Sequence, residues 1–473
     1  MGDTSGATFG AGLTYNDVIN SFTSTVSGAN LTVTDASKSL DVKAISDSLI
    51  IGSGIGVAAK SGAEIKGFSA AGSGAISRSV ATTKATIENS TVKSDTVNVN
   101  ALTKSVLISA AGQGSGTNAN AALGLTWAQN KLENTTGAYV YGGTLDGKAH
   151  DLTLNLLAEN QSKNYAIAAG VGASIGSDGF KATATGAYAA NTGRNNTEAI
   201  IDGYKDSEGK LTKATLGKDK KAQAINVNAQ DKTTLKAISG NVTVAAGSAS
   251  TALTFGGTVV NNNVGNENKK QNVLAQINNA SIKTTDAANI NVKADNQAEL
   301  LSVAVGGALA ASSGFSLGAT GSVAIDNIHT LTDASMTDTD INSDSTKAGN
   351  VKLDAISHTN VTTSADDLNI SASTGGVPIT AMGVVSKVNS DADTSAGIYG
   401  TNKKSTQNVK TEIVKADSKN NITDVAIGVN ISGSSGGFTP EVMGNVAANN
   451  INNDTKAEVK NANISADDLG VLA

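Results

Sequence analysis

Residues 91–101 read TVKSDTVNVNA and residues 281–294 read SIKTTDAANINVKA. In both, apolar residues fall on every second position, the period of a β-strand, and Ser, Asp and Asn interrupt the run where a turn is needed. Each stretch ends in a five-residue phrase, apolar–x–apolar–x–Ala, that returns along the whole chain. Clear copies are LDVKA ending at Ala44, VNVNA at Ala101, INVNA at Ala229, INVKA at Ala294 and VKLDA at Ala355. Weaker ones end at Ala158 (LNLLA), Ala416 (EIVKA) and Ala473 (LGVLA). The spacings are 57, 57, 71, 65, 61, 61 and 57 residues. Self-similarity at such a period marks a repeat architecture.

A second anchor precedes the first in most units. It is Thr–x–Ala at Thr83/Ala85, Thr136/Ala138, Thr197/Ala199, Thr332/Ala334, Thr394/Ala396 and Thr455/Ala457, reduced to VLA ending at Ala275 in the fifth unit. Gly-rich stretches lie between units, such as AAGQGSG and VAVGGALAASSGFSLGATG. Val, Ile and Ala alternate through them, unlike flexible Gly/Ser linkers. Short strands cannot bury a face alone, but stacked copies can, each covering the next. The expectation is therefore an all-β parallel solenoid built from tandem units of about 60 residues. Three coils of roughly 20 residues per unit would give about 21 rungs and a rod on the order of 100 Å.

Composition agrees. The chain has 473 residues with 51 Gly, 2 Pro, 3% aromatic and 16% charged residues, and 39% hydrophobic residues. Disorder, collagen and a helical bundle are all disfavoured by this mixture. Scarce proline suits a molecule whose backbone N–H groups are committed to ladders. A net charge of −6 disfavours a nucleic-acid partner, which calls for a basic excess. With no cysteine, disulfides, thiolate catalysis and Cys-based zinc sites are excluded. No stretch of 18 apolar residues reads as a membrane helix, and the first residues do not read as a signal peptide.

The phrases NTTGAYV (134–140), NNTEAII (195–201) and NDTKAEV (453–459), together with the VxVxA set, resemble the tandem arrays of the leukotoxin-like and filamentous-haemagglutinin-like large exoproteins of Gram-negative bacteria. What the resemblance implies is a right-handed parallel β-helix in an autotransporter-type passenger. Such a passenger is secreted, displayed at the bacterial cell surface and used in adhesion and virulence. Its partner would be a host cell-surface protein or glycan. The chain looks like a segment of something longer, carrying neither the secretion domain nor the membrane barrel of that family.

Catalysis is not expected, nor any cofactor or metal. Of the three histidines, His329 and His358 sit in one unit and could approach each other across rungs; two surface histidines are the simpler reading. Asp366–Asp367 and Asp467–Asp468 recur in SADDL phrases, which points to a turn rather than to the paired carboxylates of a glycosidase. Asp338-x-Asp340-x-Asn342-x-Asp344 resembles the start of a calcium loop, but Ser343 and Gly349 stand where that loop needs Gly and Glu. The alternatives weighed are a carbohydrate-active β-helix enzyme and a trimeric β-roll adhesin, whose near-14-residue glycine phase is not found.

Two departures from the repeat are candidate binding features. Residues 202–221, DGYKDSEGKLTKATLGKDKK, lengthen the fourth unit and read as an outward loop. Aromatic residues cluster nearby. The candidate partner-binding set is Trp127, Tyr139, Tyr141, Tyr204, Lys210, Lys213, Lys218, Lys220 and Lys221. An array also leaves unpaired strand edges at its two ends, so end-to-end self-association is expected.

Overall fold

The computed structural model describes residues 6–61, 67–118, 120–177, 179–342, 347–401 and 405–473. Nearly all of them lie in parallel strands, and these form three ladders. Sheet I contains Gly6–Ser27, Gly67–Glu88, Ala121–Tyr141, Phe180–Asp202, Thr251–Val264 with Gln271–Asn278, Phe315–Thr337, Pro378–Tyr399 and Glu441–Lys460. Sheet II contains Leu40–Lys60, Thr96–Thr117, Leu152–Ile175, Ala222–Ala246, Thr284–Ser312, Ala348–Ser373, Ser405–Ser434 and Asp468–Leu472. A narrow sheet III, with strands such as Thr91–Lys93, Thr144–Asp146 and Ala280–Ile282, closes one edge. The chain runs along sheet I, rounds the corner through sheet III, returns along sheet II and re-enters sheet I one level further on. The protein is an all-β parallel solenoid.

The register shows how units map onto turns. Ala44 pairs with Ala101, Ala101 with Ala158, and the column continues through Ala229, Ala294, Ala355 and Ala416. Ala85, Ala138, Ala199, Ala275, Ala334, Ala396 and Ala457 form the matching column in sheet I. Residues one unit apart are therefore hydrogen-bonded neighbours, so each unit is one complete turn. The three coils per unit expected from short strands are not formed. Period-two alternation identifies a strand without saying where it stops, and the Gly-rich runs continue the strands instead of breaking them. Eight levels of sheet I make a stack of about 34 Å. Strand Leu152–Ile175, 24 residues long, spans about 80 Å. The result is a broad flattened slab in place of the slender rod of about 100 Å.

The corner from sheet I to sheet III is made by residues with positive φ: Gly28 (61°), Asn89 (42°), Gly142 (61°), Asn279 (47°), Asp338 (50°) and Asn461 (51°). Gly, Asn and Asp tolerate this left-handed conformation best. Each corner amide also stays in the ladder: Asn89 N–H donates to the Tyr141 carbonyl at 2.8 Å and Asn279 N–H to Thr337 at 2.9 Å. Asp338 belongs to this corner series, and its carboxylate accepts the Thr401 amide at 2.7 Å. Asp340 pairs with Lys213 at 3.0 Å, and Asn342 accepts the Thr284 amide at 2.8 Å. Those three acidic-loop residues thus have structural partners, while Ser343 and Asp344 lie outside the described residues.

Sheets I and II pack face to face next to sheet III. There the interior is apolar: Val97, Leu154, Ile225, Ile290 and Val351 stack in one column, each 1% exposed or less. The Thr of the second anchor joins the sheets, with Thr103 Oγ1 donating to Thr83 at 2.9 Å and Thr136 to Thr103 at 2.7 Å. The outward Asn of the VNVNA phrase forms a ladder: Asn98 donates to Asp41, Asn155 to Asn98, Asn226 to Asn155 and Asn291 to Asn226, at 2.6–3.0 Å.

Candidate interaction surfaces

Successive side chains of a strand point to opposite faces. In Leu152–Ile175, Leu152, Leu154, Leu156 and Ala158 point inward, followed by Asn160, Ser162 and Asn164, then Ala166 and Ala168. Its outward residues run the other way. Thr153, Asn155, Leu157, Glu159, Gln161 and Lys163 come first, with Leu157 the one bulky apolar residue among them, then Tyr165, Ile167, Ala169, Val171, Ala173 and Ile175. Bulky apolar residues therefore change from even to odd positions within one strand whose register has no bulge over Thr153–Ser174. Thr284–Ser312 does the same, with Ile290 and Val292 inward but Val303, Val305 and Leu309 outward. We call the half beside sheet III proximal and the Gly-rich half distal.

The distal interior is made mainly of small residues, with alanines clustered around Val260, Met382 and Val384 and with Ser, Thr and a few amides between them. Asn241 donates to the carbonyls of Thr185 (3.1 Å) and Gly257 (2.8 Å). Asn369 does the same to Gly318 (2.8 Å) and Ala381 (3.0 Å). Between this zone and the apolar core lies a layer of buried amides and carboxylates. Asn130 donates to Asn191 at 3.0 Å and Asn191 to Asn262 at 2.9 Å. Asp231 accepts from Asn160, Thr197, Thr233 and Gln271 at 2.6–3.1 Å. Asp326 accepts from Ser302 at 2.6 Å and from Thr363. Burial pushes both carboxyls up to about 6 despite these donors.

The candidate residues do not form one patch. Trp127 is half-exposed on the outer face of sheet I, its ring 5.0 Å from that of Tyr188, with Nε1 donating to Gln129 at 3.2 Å. Tyr141 lies 14 residues further along the same strand, about 46 Å away. Tyr139 is buried, stacked on Tyr141 at 5.3 Å and donating to Glu198 at 2.7 Å. Its ring covers Gly137, where a Cβ would clash. Burial and the Glu198 charge hold its phenol well above the usual range. Tyr165 faces outward from sheet II, on the opposite side of the slab.

The insertion is shorter than the sequence indicates. Asp202 pairs with Tyr141 and Thr215 with Thr144, so only ten extra residues lie between them. They form a small antiparallel hairpin, Tyr204–Lys205 against Leu211–Thr212, tied by Asp206 to the amides of Glu208 and Lys210. Ala214–Leu216 is a strand of sheet III, with both end residues buried. Lys213 is engaged with Asp340. Lys218, Lys220 and Lys221 are exposed in the following turn, where the Lys220 amide donates to Asp146 at 2.9 Å. Tyr204 and Lys210 therefore belong to one hairpin, Lys218, Lys220 and Lys221 to an adjoining turn, and Trp127 to a different region.

The remaining titratable candidates are also separated. His329 is on the outer face of sheet I and His358 on that of sheet II. Asp366 points outward and Asp367 inward from the middle of Ala348–Ser373. They cannot face one substrate, and they are not in a turn. Nor do they match the second SADDL phrase, since Asp468 pairs with Thr411 and Thr411 with Asn350. His150, which the repeat pattern does not single out, sits 2.9 Å from Asp95. Desolvation opposes ionisation of Asp95, but the His150 ring and the amides of Lys148, Ala149 and His150 together hold its carboxyl well below the usual range.

Comparison with protein-family models, with curated proteins and with solved structures finds no match for the chain.

Proposed function

We propose that the chain is a structural and adhesive segment of a secreted, cell-surface passenger, non-enzymatic, that presents a broad face to a host surface protein or glycan. The observation that carries this reading is the register itself. Each unit is one turn that continues the ladders of the unit before it, so the architecture extends by adding copies and builds surface area. The proximal exterior carries most of the charge, and Lys218, Lys220 and Lys221 form a cationic turn for an acidic glycan beside the Tyr204–Lys210 hairpin, whose two lysines are balanced by Asp206 and Glu208. Local charge acts within a Debye length of about 8 Å whatever the net charge. The test coats beads with the 473-residue chain and counts attachment to epithelial monolayers, with and without alanine at Lys210, Lys218, Lys220 and Lys221. Adhesion that exceeds an albumin coat, falls with salt and falls in the variant supports the reading. Coated beads that attach no better than albumin beads would overturn it.

A further inference from the structure

The distal half of the slab is inside-out, on both faces and over the same stretch of strand. On sheet I the outward residues of Ala121–Tyr141 are Ala121, Leu123, Leu125 and Trp127, followed at once by Gln129, Lys131 and Glu133. The register extends this across the sheet. Leu123 aligns with Phe9 and Ala70 on one side and Ala184 and Phe255 on the other. Trp127 aligns with Tyr188, Val259 and Val323. No charged residue stands in these outward columns. On sheet II the equivalent columns around Ile167, Ala169, Val171 and Ala173 contain one, Asp366, whose Oδ2 accepts from Ser364 at 2.8 Å while its Oδ1 has no partner among the described residues. Leu125 is 72% exposed and Val57 65%. In water an apolar surface of this extent marks an interaction site.

Three independent observations say what covers it. The first is the interior. Behind the apolar exterior the interior keeps mainly small apolar residues, such as Ala166, Ala168, Ala304 and Ala324 in one cluster, interleaved with Ser, Thr and Asn, while most of the bulky apolar residues stand outside. Bulky apolar residues outside, with small and partly polar residues inside, is the arrangement of strands that face lipid. The second is length. The apolar stretches, residues 121–127 and 167–175, span roughly 23–30 Å, against an apolar band of about 25 Å in lipid-facing barrels. The third is the aromatic residues. Tyr15, Trp127 and Tyr188 on sheet I and Tyr165 on sheet II stand where the apolar stretch meets the charged one. Phe68, Phe180 and Phe315 stand at the other limit, beside the distal turns. Rings gather at both water interfaces of lipid-embedded strands. The described residues of the distal turns, 61, 118, 120, 176–177, 179, 247–250, 313–314, 374–377 and 435–440, carry no charge, while Lys60, Lys181 and Glu441 stand at the strand ends beside them.

From these we infer that the distal half of the slab enters a lipid bilayer, with the proximal half and its charged surface remaining in water. The inference goes beyond the adhesive reading and stands without it, since it rests on the polarity of the strands alone. Lipid offers no hydrogen-bond partner to the open strand edges of the first and last levels. End-to-end stacking covers only the edges between copies, so entry is coupled to an array of copies that closes on itself and leaves no edge in lipid.

Trp127 is the only tryptophan in the chain and stands at the limit of the apolar band, so it reports entry directly. The experiment mixes the full chain with neutral phosphatidylcholine vesicles and follows flotation and Trp127 emission. The expected result is co-flotation that survives about 0.5 M salt and a blue shift. Lipids brominated near the headgroup should quench Trp127 more than lipids brominated at the chain end. Leu125→Lys and Val171→Lys, both outward on opposite faces, should each weaken partitioning about tenfold while leaving the aqueous circular dichroism unchanged. Gln129→Lys, one outward step beyond the band, should change it less than twofold. Three results would overturn the inference. One is no flotation with neutral lipid. Another is binding that needs anionic lipid or disappears with salt, which would assign it to the lysine turn. The last is a lipid-free dimer in which Trp127 is already shielded, which would assign the faces to a second copy. Bead adhesion in the preceding test is scored separately, so either reading can fail alone.

Discussion

Glu412→Gln should stabilise the protein near neutrality and leave it unchanged in acid. Glu412 occupies the interior column that otherwise reads Val97, Leu154, Ile225, Ile290 and Val351, with Leu469 on its other side. It is fully buried, and neither carboxyl oxygen has a hydrogen-bond partner among the described residues. Burial pushes its pKa from 4.5 up to about 8. The folded value lies above the unfolded one, so the native state holds the proton more tightly. The stability associated with this group is complete below pH 4.5 and is lost as pH rises through about 8. The gap between those values corresponds to about 5 kcal/mol, of which about 3 kcal/mol is felt at pH 7. Glutamine has the shape of the protonated acid and does not titrate. Urea unfolding should therefore give equal stability for both proteins at pH 4 and about 3 kcal/mol more for the variant at pH 7. Amide exchange over residues 405–434 localises the effect. Asp231 and Asp326, raised from 3.8 to about 6, lose stability over a lower pH range in both proteins and cancel in the comparison. A variant no more stable than the parent at pH 7, or just as pH-dependent between pH 6 and 8, would refute the reasoning.

Further outcomes follow from the two halves of the strand. Leu154→Ala should cost about 2–5 kcal/mol, and Leu125→Ala, outward in the distal half, less than about 0.5 kcal/mol, both read as urea midpoints in lipid-free solution. Asn155→Ala breaks the outward amide ladder on both sides and should cost about 1 kcal/mol by the same measurement. At the corner, Asn89→Gly should be neutral to slightly stabilising, whereas Asn89→Val should lower the thermal midpoint by several degrees because a β-branched residue resists positive φ. Deleting 204–212 should leave the circular dichroism spectrum intact. A deletion extended to 221 removes the Ala214–Leu216 strand and should expose the edges of Thr144–Asp146 and Ala280–Ile282 to exchange.

The fold class and the repeat length were legible in the chain because backbone ladders demand the same residue at the same place in every copy. The VxVxA alanines and the Thr–x–Ala pairs align in the structure as their spacing requires, and Asn and Gly stand at the corner that needs positive φ. The length of a turn was not legible. Alternation has the same period in a 6-residue strand and a 24-residue one, and only pairing between units shows that the Gly-rich runs stay in the ladder. Site residues fared unevenly for a related reason. Nearness in sequence placed Trp127, Tyr141 and the lysines together, but along an extended strand 14 residues cover about 46 Å. The polarity inversion left a sequence signal that local pattern reading passes over, the change of bulky residues from Ile290 and Val292 to Val303 and Val305 within one strand. Either parity alone reads as an ordinary amphipathic strand. Which parity faces the opposing sheet is decided by where that sheet lies, and this only the tertiary structure supplies.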